Sequence, residues 1–371
     1  MRLRFFFDPG SGGSLWPGDA EALEAWDVGP LDERLPLGPE TREALAELAA
    51  WWDTGLDWTD PAGPGLWGAW DRKRFHRAAS RVLGRVRAEL GLEVAAEGLE
   101  EPEEEAPLPP PPGVRRLEEP GEVEPLLAGE PELHLFARAD LDPVLAPEAA
   151  FYEREGALVL GWYGLEPPCF SALGDSRAGD LLARLAPVLP PRFYLQTSPG
   201  LEAPLRDGFD LRREAGVERW VLRGLVPDPA EPVERLDPRH HRELRDLYAE
   251  AFPEGLLDPR TLATGRYAGL RREGRLVAAA GVHAWSPGRS VAVLGNVATR
   301  PSWRGQGLAA SCVAGLCRRL QEEDGIRSVG LNVAVDNQPA RSCYRRLGFQ
   351  PVAFFEEWTA LRRPGSGSRG R

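Results

Sequence analysis

The sequence predicts an α/β (α+β) protein in which a mixed central sheet carries helices on both faces, built as two related halves behind a small tryptophan-rich module. Three observations predict this. From residue 133 to 361, strand-like and helix-like apolar patterns alternate. The alternation ends twice in the same order of helix, strand, helix, Gly-Phe, strand. It does so at Arg192-Phe193-Tyr194-Leu195 with Gly208-Phe209, and again at Ser328-Val329-Gly330-Leu331 with Gly348-Phe349. Ahead of both, residues 1–95 hold seven of the twelve tryptophans.

Each element follows in order. Residues 1–8 read as a short strand, with an apolar run too brief for a signal peptide. Helices are expected over 39–52, with Leu45, Leu48 and Trp52 on one stripe, and over 70–90, with Phe75, Ala79, Val82, Val86 and Leu90 at helical spacing. The tryptophans of this module, 1–95, read as packing residues, since aromatics bury much area in a small domain. Glu100, Glu101, Glu103, Glu104 and Glu105, with the prolines at 109–112, mark 96–125 as an extended, solvated linker. The first half, 126–225, has strands at 157–164, 169–173, 192–197 and 218–222, and helices at 177–189 and 199–207. The second half, 226–361, has strands at 233–236, 267–272, 275–283, 291–297, 328–335 and 351–360, and helices at 240–252, 308–320 and 338–347. Residues 362–371 are expected to be a disordered tail.

Composition narrows the function. At 371 residues the chain is long enough for two or three domains. No apolar run reaches about 18 residues, so no membrane span is expected. A formal charge of −12 argues against non-specific nucleic-acid binding, which needs a basic surface. A cytoplasmic location is the default expectation, and the chain is expected to be a monomer or homodimer. The four cysteines, Cys169, Cys312, Cys317 and Cys343, form no C-x-x-C pair, and no His/Cys cluster has ligand spacing. Free thiols and no metal are therefore expected.

The segment that carries chemistry is Arg304-Gly305-Gln306-Gly307-Leu308-Ala309, between an apolar strand and an apolar-periodic helix. Such a turn points several backbone N–H groups at one spot, and the helix N-terminus adds partial positive charge there. The result is a phosphate-binding nest. Arg300 and Arg304 stand on its approach. The first half has Gly174-Asp175-Ser176-Arg177 at the equivalent place and lacks the nest, so one such site per chain is expected.

Downstream of the nest come a strand with Leu331-Asn332-Val333 and then Asn337-x-x-Ala340-x-x-x-Tyr344-x-x-x-Gly348-Phe349. Together these resemble the GNAT superfamily of acyl-CoA-dependent N-acetyltransferases. Its pyrophosphate loop, R/Q-x-x-G-x-G/A, is matched by Arg304, Gly307 and Ala309. The clear resemblance covers about 290–355, and element order extends it to about 230–361. It implies a GNAT-type sheet for the second half, with a degenerate GNAT-like half before it. It also implies acetyl-CoA, or a close acyl-CoA, as co-substrate, and a small-molecule or peptide amine as acceptor.

The resemblance further implies the roles of single residues. Backbone N–H groups of Arg304, Gly305, Gln306, Gly307, Leu308 and Ala309 would hold the pyrophosphate. Pantetheine would lie where the strands at 291–297 and 328–335 splay, pairing with Val297 and Thr299 as an added strand. An N–H near Val297 or Ala298 would stabilise the tetrahedral oxyanion. Tyr344 matches the family's usual acid for the departing thiolate, its other reading being a packed tyrosine on an amphipathic helix. Asn337 can cap its helix or contact pantetheine. An alkyl amine with a pKa near 10 is neutral in only about one molecule in 10³ at pH 7, so a base must take a proton. Many family members use a carboxylate on the strand before the glycine turn, and Val291-Ala292-Val293-Leu294-Gly295-Asn296 has none. His283 is the first candidate. Glu356 and Glu357 are alternatives, of which strand alternation lets one face the cleft, and Asn296 could orient a water. His240 and His241, at a helix start, are expected to be exposed. The missing carboxylate leaves open a non-catalytic acyl-CoA-binding protein, and the unread acyl pocket leaves open a longer-chain N-acyltransferase.

Overall fold

The structure is a computed structural model, and it describes residues 1–100, 107–143, 145–253, 255 and 257–364. The N-terminal segment holds β1 (Arg2–Phe5), β2 (Leu15–Pro17), α1 (Ala20–Trp26), α2 (Pro39–Asp53), α3 (Ala69–Leu90) and β3 (Glu93–Ala96). The first half follows with β4 (Arg115–Leu117), α4 (Pro120–Leu127), α5 (Leu135–Ala139), β5 (Ala149–Arg154), β6 (Ala157–Trp162), β7 (Cys169–Ala172), α6 (Ser176–Leu185), β8 (Arg192–Thr197) and β9 (Phe209–Leu222). The second half has β10 (Glu234–Leu236), α7 (His241–Ala251), α8 (Pro259–Ala263), β11 (Tyr267–Arg272), β12 (Arg275–Ser286) and β13 (Val291–Thr299). It closes with α9 (Leu308–Glu322), β14 (Ser328–Ala334), α10 (Gln338–Arg346) and β15 (Phe349–Arg362).

The chain divides into two compact units. One comprises residues 1–105, 231–281 and 296–312; the other comprises 106–230, 282–295 and 313–371. In the first unit β1 pairs antiparallel with β2 and parallel with β3. Trp51, Trp52 and Trp67 pack around Phe75 of α3, with ring centroids 5.1–5.4 Å away. The Trp67 indole N–H donates to Thr54 Oγ1 at 2.9 Å. These tryptophans are packing residues, as expected.

The N-terminal segment does not stand apart within this unit. His241 Nδ1 sits 2.6 Å from the carbonyl of Thr54, and Arg242 pairs with Asp57 at 2.5 Å. Arg74 donates to Asp258, ahead of α8, at 2.9 Å. His241 is consequently 3% exposed, which corrects the expectation of a solvated histidine. Its helix start lies under the α2–α3 connection, a long-range contact that local pattern does not carry.

In the second unit the strand order is β13-β14-β9-β15-β8-β7-β6-β5-β4. Its centre is the long antiparallel pair β9–β15, running from Phe349↔Leu222 to Arg362↔Phe209. Outward from that pair the two sides match. β9 meets β14 antiparallel and β14 meets β13 parallel; β15 meets β8 antiparallel and β8 meets β7 parallel. Each half therefore lends its last strand to the other, and the repeat read from Gly208-Phe209 and Gly348-Phe349 marks the starts of the two exchanged strands.

Two further expectations are amended. The chain expected to be extended over 96–125 becomes regular by residue 115, where β4 pairs with β5. Leu117, Val123 and Leu127 bury against Phe151, Leu158 and Leu160, which the surrounding glutamates and prolines disguise in the sequence. Its acidic residues 101–105, and most of the expected tail (365–371), lie outside the described residues. β9 extends well before 218 because backbone pairing with β15 carries its polar stretch.

Candidate active site

The nest is built by two tight elements. After β13, a single 3-10 turn (Pro301–Trp303) brings the chain to Arg304, and α9 starts at Leu308. Gly305 and Gly307 have φ of +79° and +80°, a left-handed conformation that side chains other than glycine resist. A Cβ at either would meet nothing within 4 Å. The surface there is open, and the first-turn N–H groups of α9 have no partner within the helix. This geometry fits a pyrophosphate.

Of the two arginines that the sequence places on the approach, Arg300 is turned inward. Arg300 is 2% exposed; its Nε donates to the carbonyl of Leu276 at 2.8 Å and its Nη1 pairs with Glu250. Arg304 donates to the carbonyls of Thr299 at 3.2 Å and Ala251 at 3.0 Å. Both guanidinium groups brace the loop; Arg300 is neutralised by Glu250, whereas Arg304 is exposed, is bonded only to carbonyls and keeps its positive charge beside the nest.

Before the nest, β13 is deformed. Its parallel ladder with β14 runs from Val291↔Ser328 to Leu294↔Leu331 and ends there. Two residues on, Asn296 has a φ of +53°. This strained backbone is held by a buried network that sequence reading missed. The Tyr248 hydroxyl donates to the Asn296 carbonyl at 2.7 Å, the Asn296 amide donates to the Tyr267 hydroxyl at 2.7 Å, and that hydroxyl lies 2.8 Å from Thr261 Oγ1. Burial raises both phenols above their ordinary pKa, so they stay protonated and can hold the bulge. Val297 and Thr299 are half-buried and Ala298 is buried.

The first half differs at each corresponding point. Its β7–β8 ladder continues to Ala172↔Thr197, and Ser198 extends it by donating from N to the Ala172 carbonyl at 3.2 Å. Ser198 Oγ accepts from Gly174 N at 3.0 Å. At the start of α6 the Asp175 carboxylate accepts from Arg177 N at 3.0 Å. A protein carboxylate thus occupies the position where an anion would sit, and the strand gap is stitched shut.

The remaining candidates lie in the second unit. Tyr344 on α10 is 7% exposed and packs edge-on to Phe349 at 5.9 Å. Burial, with the Cys343 and Cys317 thiols acting the same way, pushes its phenol pKa up, so it is protonated at neutral pH. Asn337 caps α10, its Oδ1 accepting from Ala340 N at 3.2 Å. His283 is exposed and sits inside β12 rather than at its end. Its ring lies over Gly295 of β13, where a Cβ would come within 1.7 Å of the imidazole Cδ2. Glu356 is tied to Arg213 at 2.7 Å. Glu357 points the other way into the sheet. There Gln196 donates to it at 3.0 Å, and burial raises its pKa against the pull of Gln196 and Arg219. Val297 to Ala309 therefore fall in one unit, and His283, Asn337, Tyr344 and Glu356 in the other. Among the described residues there is no group of three or more His, Cys, Asp or Glu that could hold a metal ion, and no helix is long and apolar enough to cross a membrane. The four cysteines form no disulfide.

Residues 230–349 match the model of the acetyltransferase (GNAT) family. No curated protein matches the chain. Among solved structures, a Drosophila protein is similar at a TM-score of 0.50 and 16% identity, over 67% of this chain and 98% of its own. A GCN5-related N-acetyltransferase from Sphaerobacter thermophilus is similar at 0.45 and 16%, over 71% and 100%. A tandem GNAT protein from the clavulanic acid biosynthesis pathway is similar at 0.43 and 13%, over 68% and 99%. At such identities a likeness bears on the fold alone.

Proposed function

We propose, from the premise that residues 230–349 form a domain of the acetyltransferase (GNAT) family, that the chain is an N-acetyltransferase moving an acetyl group from acetyl-CoA to a primary amine by direct attack. The observation that carries this reading is the open double-glycine nest at the start of α9, preceded by a strand whose parallel ladder has already ended. Backbone N–H groups from Arg304 to Ala309 bind the pyrophosphate. Val297 and Thr299 pair with pantetheine, and the N–H at Val297 or Ala298 faces the thioester carbonyl.

The amine nitrogen forms a bond to the carbonyl carbon, and the C–S bond breaks. His283 takes the proton from the amine, and Tyr344 gives its proton to the leaving thiolate. Two observations favour His283 over Glu356: its side chain is exposed over Gly295 of β13, whereas Glu356 is committed to Arg213. The stitched β7–β8 ladder and Asp175 support a single acyl-CoA site per chain. The test is acetyl-CoA turnover over a panel of amines, with Tyr344→Phe as control. Amine-dependent thiol release that falls in the variant is expected. Tight CoA binding with no turnover on any amine would instead favour an acyl-CoA-binding protein.

A further inference from the structure

A second concave site lies within the first unit, beside α7. It is a pocket of about 290 Å3, near the low end of the range for small-molecule sites. Leu66 and Asp71 of the N-terminal segment line it together with Arg245, Tyr248, Phe252 and Pro259. Its walls are thus part apolar and part charged, and a portion comes from residues outside the segment that matches the family model.

Asp71 is the group of interest. One carboxylate oxygen accepts from Gly68 N at 2.9 Å and so starts α3. Among the described residues Asp71 has no ion pair. The cations acting on it are engaged elsewhere: Arg74 donates to Asp258 at 2.9 Å, and Arg245 donates to the carbonyl of Leu66 at 2.7 Å. Burial raises the Asp71 carboxyl above its ordinary pKa, and the nearby Asp258 adds to this. A cation brought to it would restore favourable surroundings to the charged form. Tyr248 connects the pocket to β13, since its ring lines the pocket and its hydroxyl donates to the carbonyl of Asn296, one residue before Val297.

We propose that this pocket is the acceptor's specificity site, taking a second, cationic nitrogen of a diamine substrate at Asp71, with Phe252 and Pro259 flanking the hydrocarbon stem. The assignment rests on the transferase reading for what happens at the other end of the substrate. The nitrogen held at Asp71 stays protonated and is not the one acetylated. The reacting nitrogen must be neutral and lies toward Val297. His241 adds no competing charge, because burial holds it neutral, with a pKa lowered to about 4.

The experiment is calorimetric titration of the full chain with 1,5-diaminopentane, n-pentylamine and, separately, CoA. It uses the wild type, Asp71→Asn and Ala249→Trp. Asn keeps an acceptor for Gly68 N, and Ala249 is an exposed helical position lining the pocket. The wild type should bind the diamine about ten- to a hundred-fold more tightly than the monoamine, the range expected of one charged hydrogen bond. Asp71→Asn should abolish that preference, Ala249→Trp should weaken both amines, and CoA affinity should be unchanged in both variants. Equal binding of the two amines, or a preference that survives Asp71→Asn, overturns the proposal. CoA binding without diamine binding removes this site and leaves the transferase reading intact. Asp71-dependent diamine binding without CoA binding removes the transferase reading and leaves the cation site.

Discussion

In the proposed mechanism Tyr344 and Gly295 act in opposite ways, one by its hydroxyl and one by having no side chain. Tyr344 is buried and protonated, so Tyr344→Phe removes a proton donor while changing little in packing. Its expected effect is a fall in kcat of about 10²-fold with CoA affinity within twofold, measured by thiol release and by titration. Gly295→Ala places a methyl group where the His283 ring lies, so the imidazole must swing away. Here too kcat should drop by about 10²-fold, and a variant with wild-type kcat would remove His283 from the mechanism. These residues were unequally legible. Tyr344 stands at a fixed spacing from Asn337 and Gly348-Phe349, and spacing is a property of sequence. The choice of His283 over Glu356 depends on which side chains meet across strands, namely Gly295 beneath one and Arg213 beside the other.

At the scale of elements, the N-terminal segment is bound to α7 and to the start of α8 by buried hydrogen bonds and ion pairs. Asp258 shows this best. Burial alone would raise its carboxyl, but Arg74 and Arg260 overcome that and hold it below the ordinary range. Both guanidinium groups lie over the Trp51 ring, at 5.8 and 5.6 Å. Asp258→Ala would remove the buried carboxylate that both cations share and should cost about 3–5 kcal/mol of stability, read from denaturant midpoints. A loss under about 1 kcal/mol would mean that these contacts are solvated. Helices α2 and α3 were legible because their apolar stripes are local. β9 was mostly hidden, because Asp210, Arg212, Arg213 and Glu214 break the apolar pattern while their backbone is paired with β15. The turn at 304–309 was legible as a nest, but the inward turn of Arg300 was not, since sequence gives the charge of a side chain and not its direction.

Over the whole molecule, two features set the behaviour expected in solution. The first is a buried neutral histidine. His241 has a folded pKa of about 4 against 6.5 in the unfolded chain, so the unfolded state binds more protons between these values. Its contribution to stability is complete above pH 6.5 and is lost as pH falls toward 4, amounting to roughly 3 kcal/mol over that window. His241→Gln should flatten the dependence of the denaturation midpoint on pH from 6.5 to 4; an unchanged slope would mean that His241 is protonated in the fold. The second is the asymmetry between the halves. They share an order of strands about the β9–β15 pair, yet the parallel ladder of the second ends at Leu331 while that of the first runs to Thr197, and only the second keeps two left-handed glycines ahead of its helix. The repeat was legible from two Gly-Phe pairs, whereas the exchange of last strands was not, because either pairing satisfies the same local pattern. Calorimetric titration of acetyl-CoA into the full chain, with Gly307→Val beside it, tests the account most directly. One site per chain is expected and, because valine at φ +80° forces the nest to change shape, affinity at least about tenfold weaker in the variant. Two sites, no site, or a variant that binds as well as the wild type would contradict it.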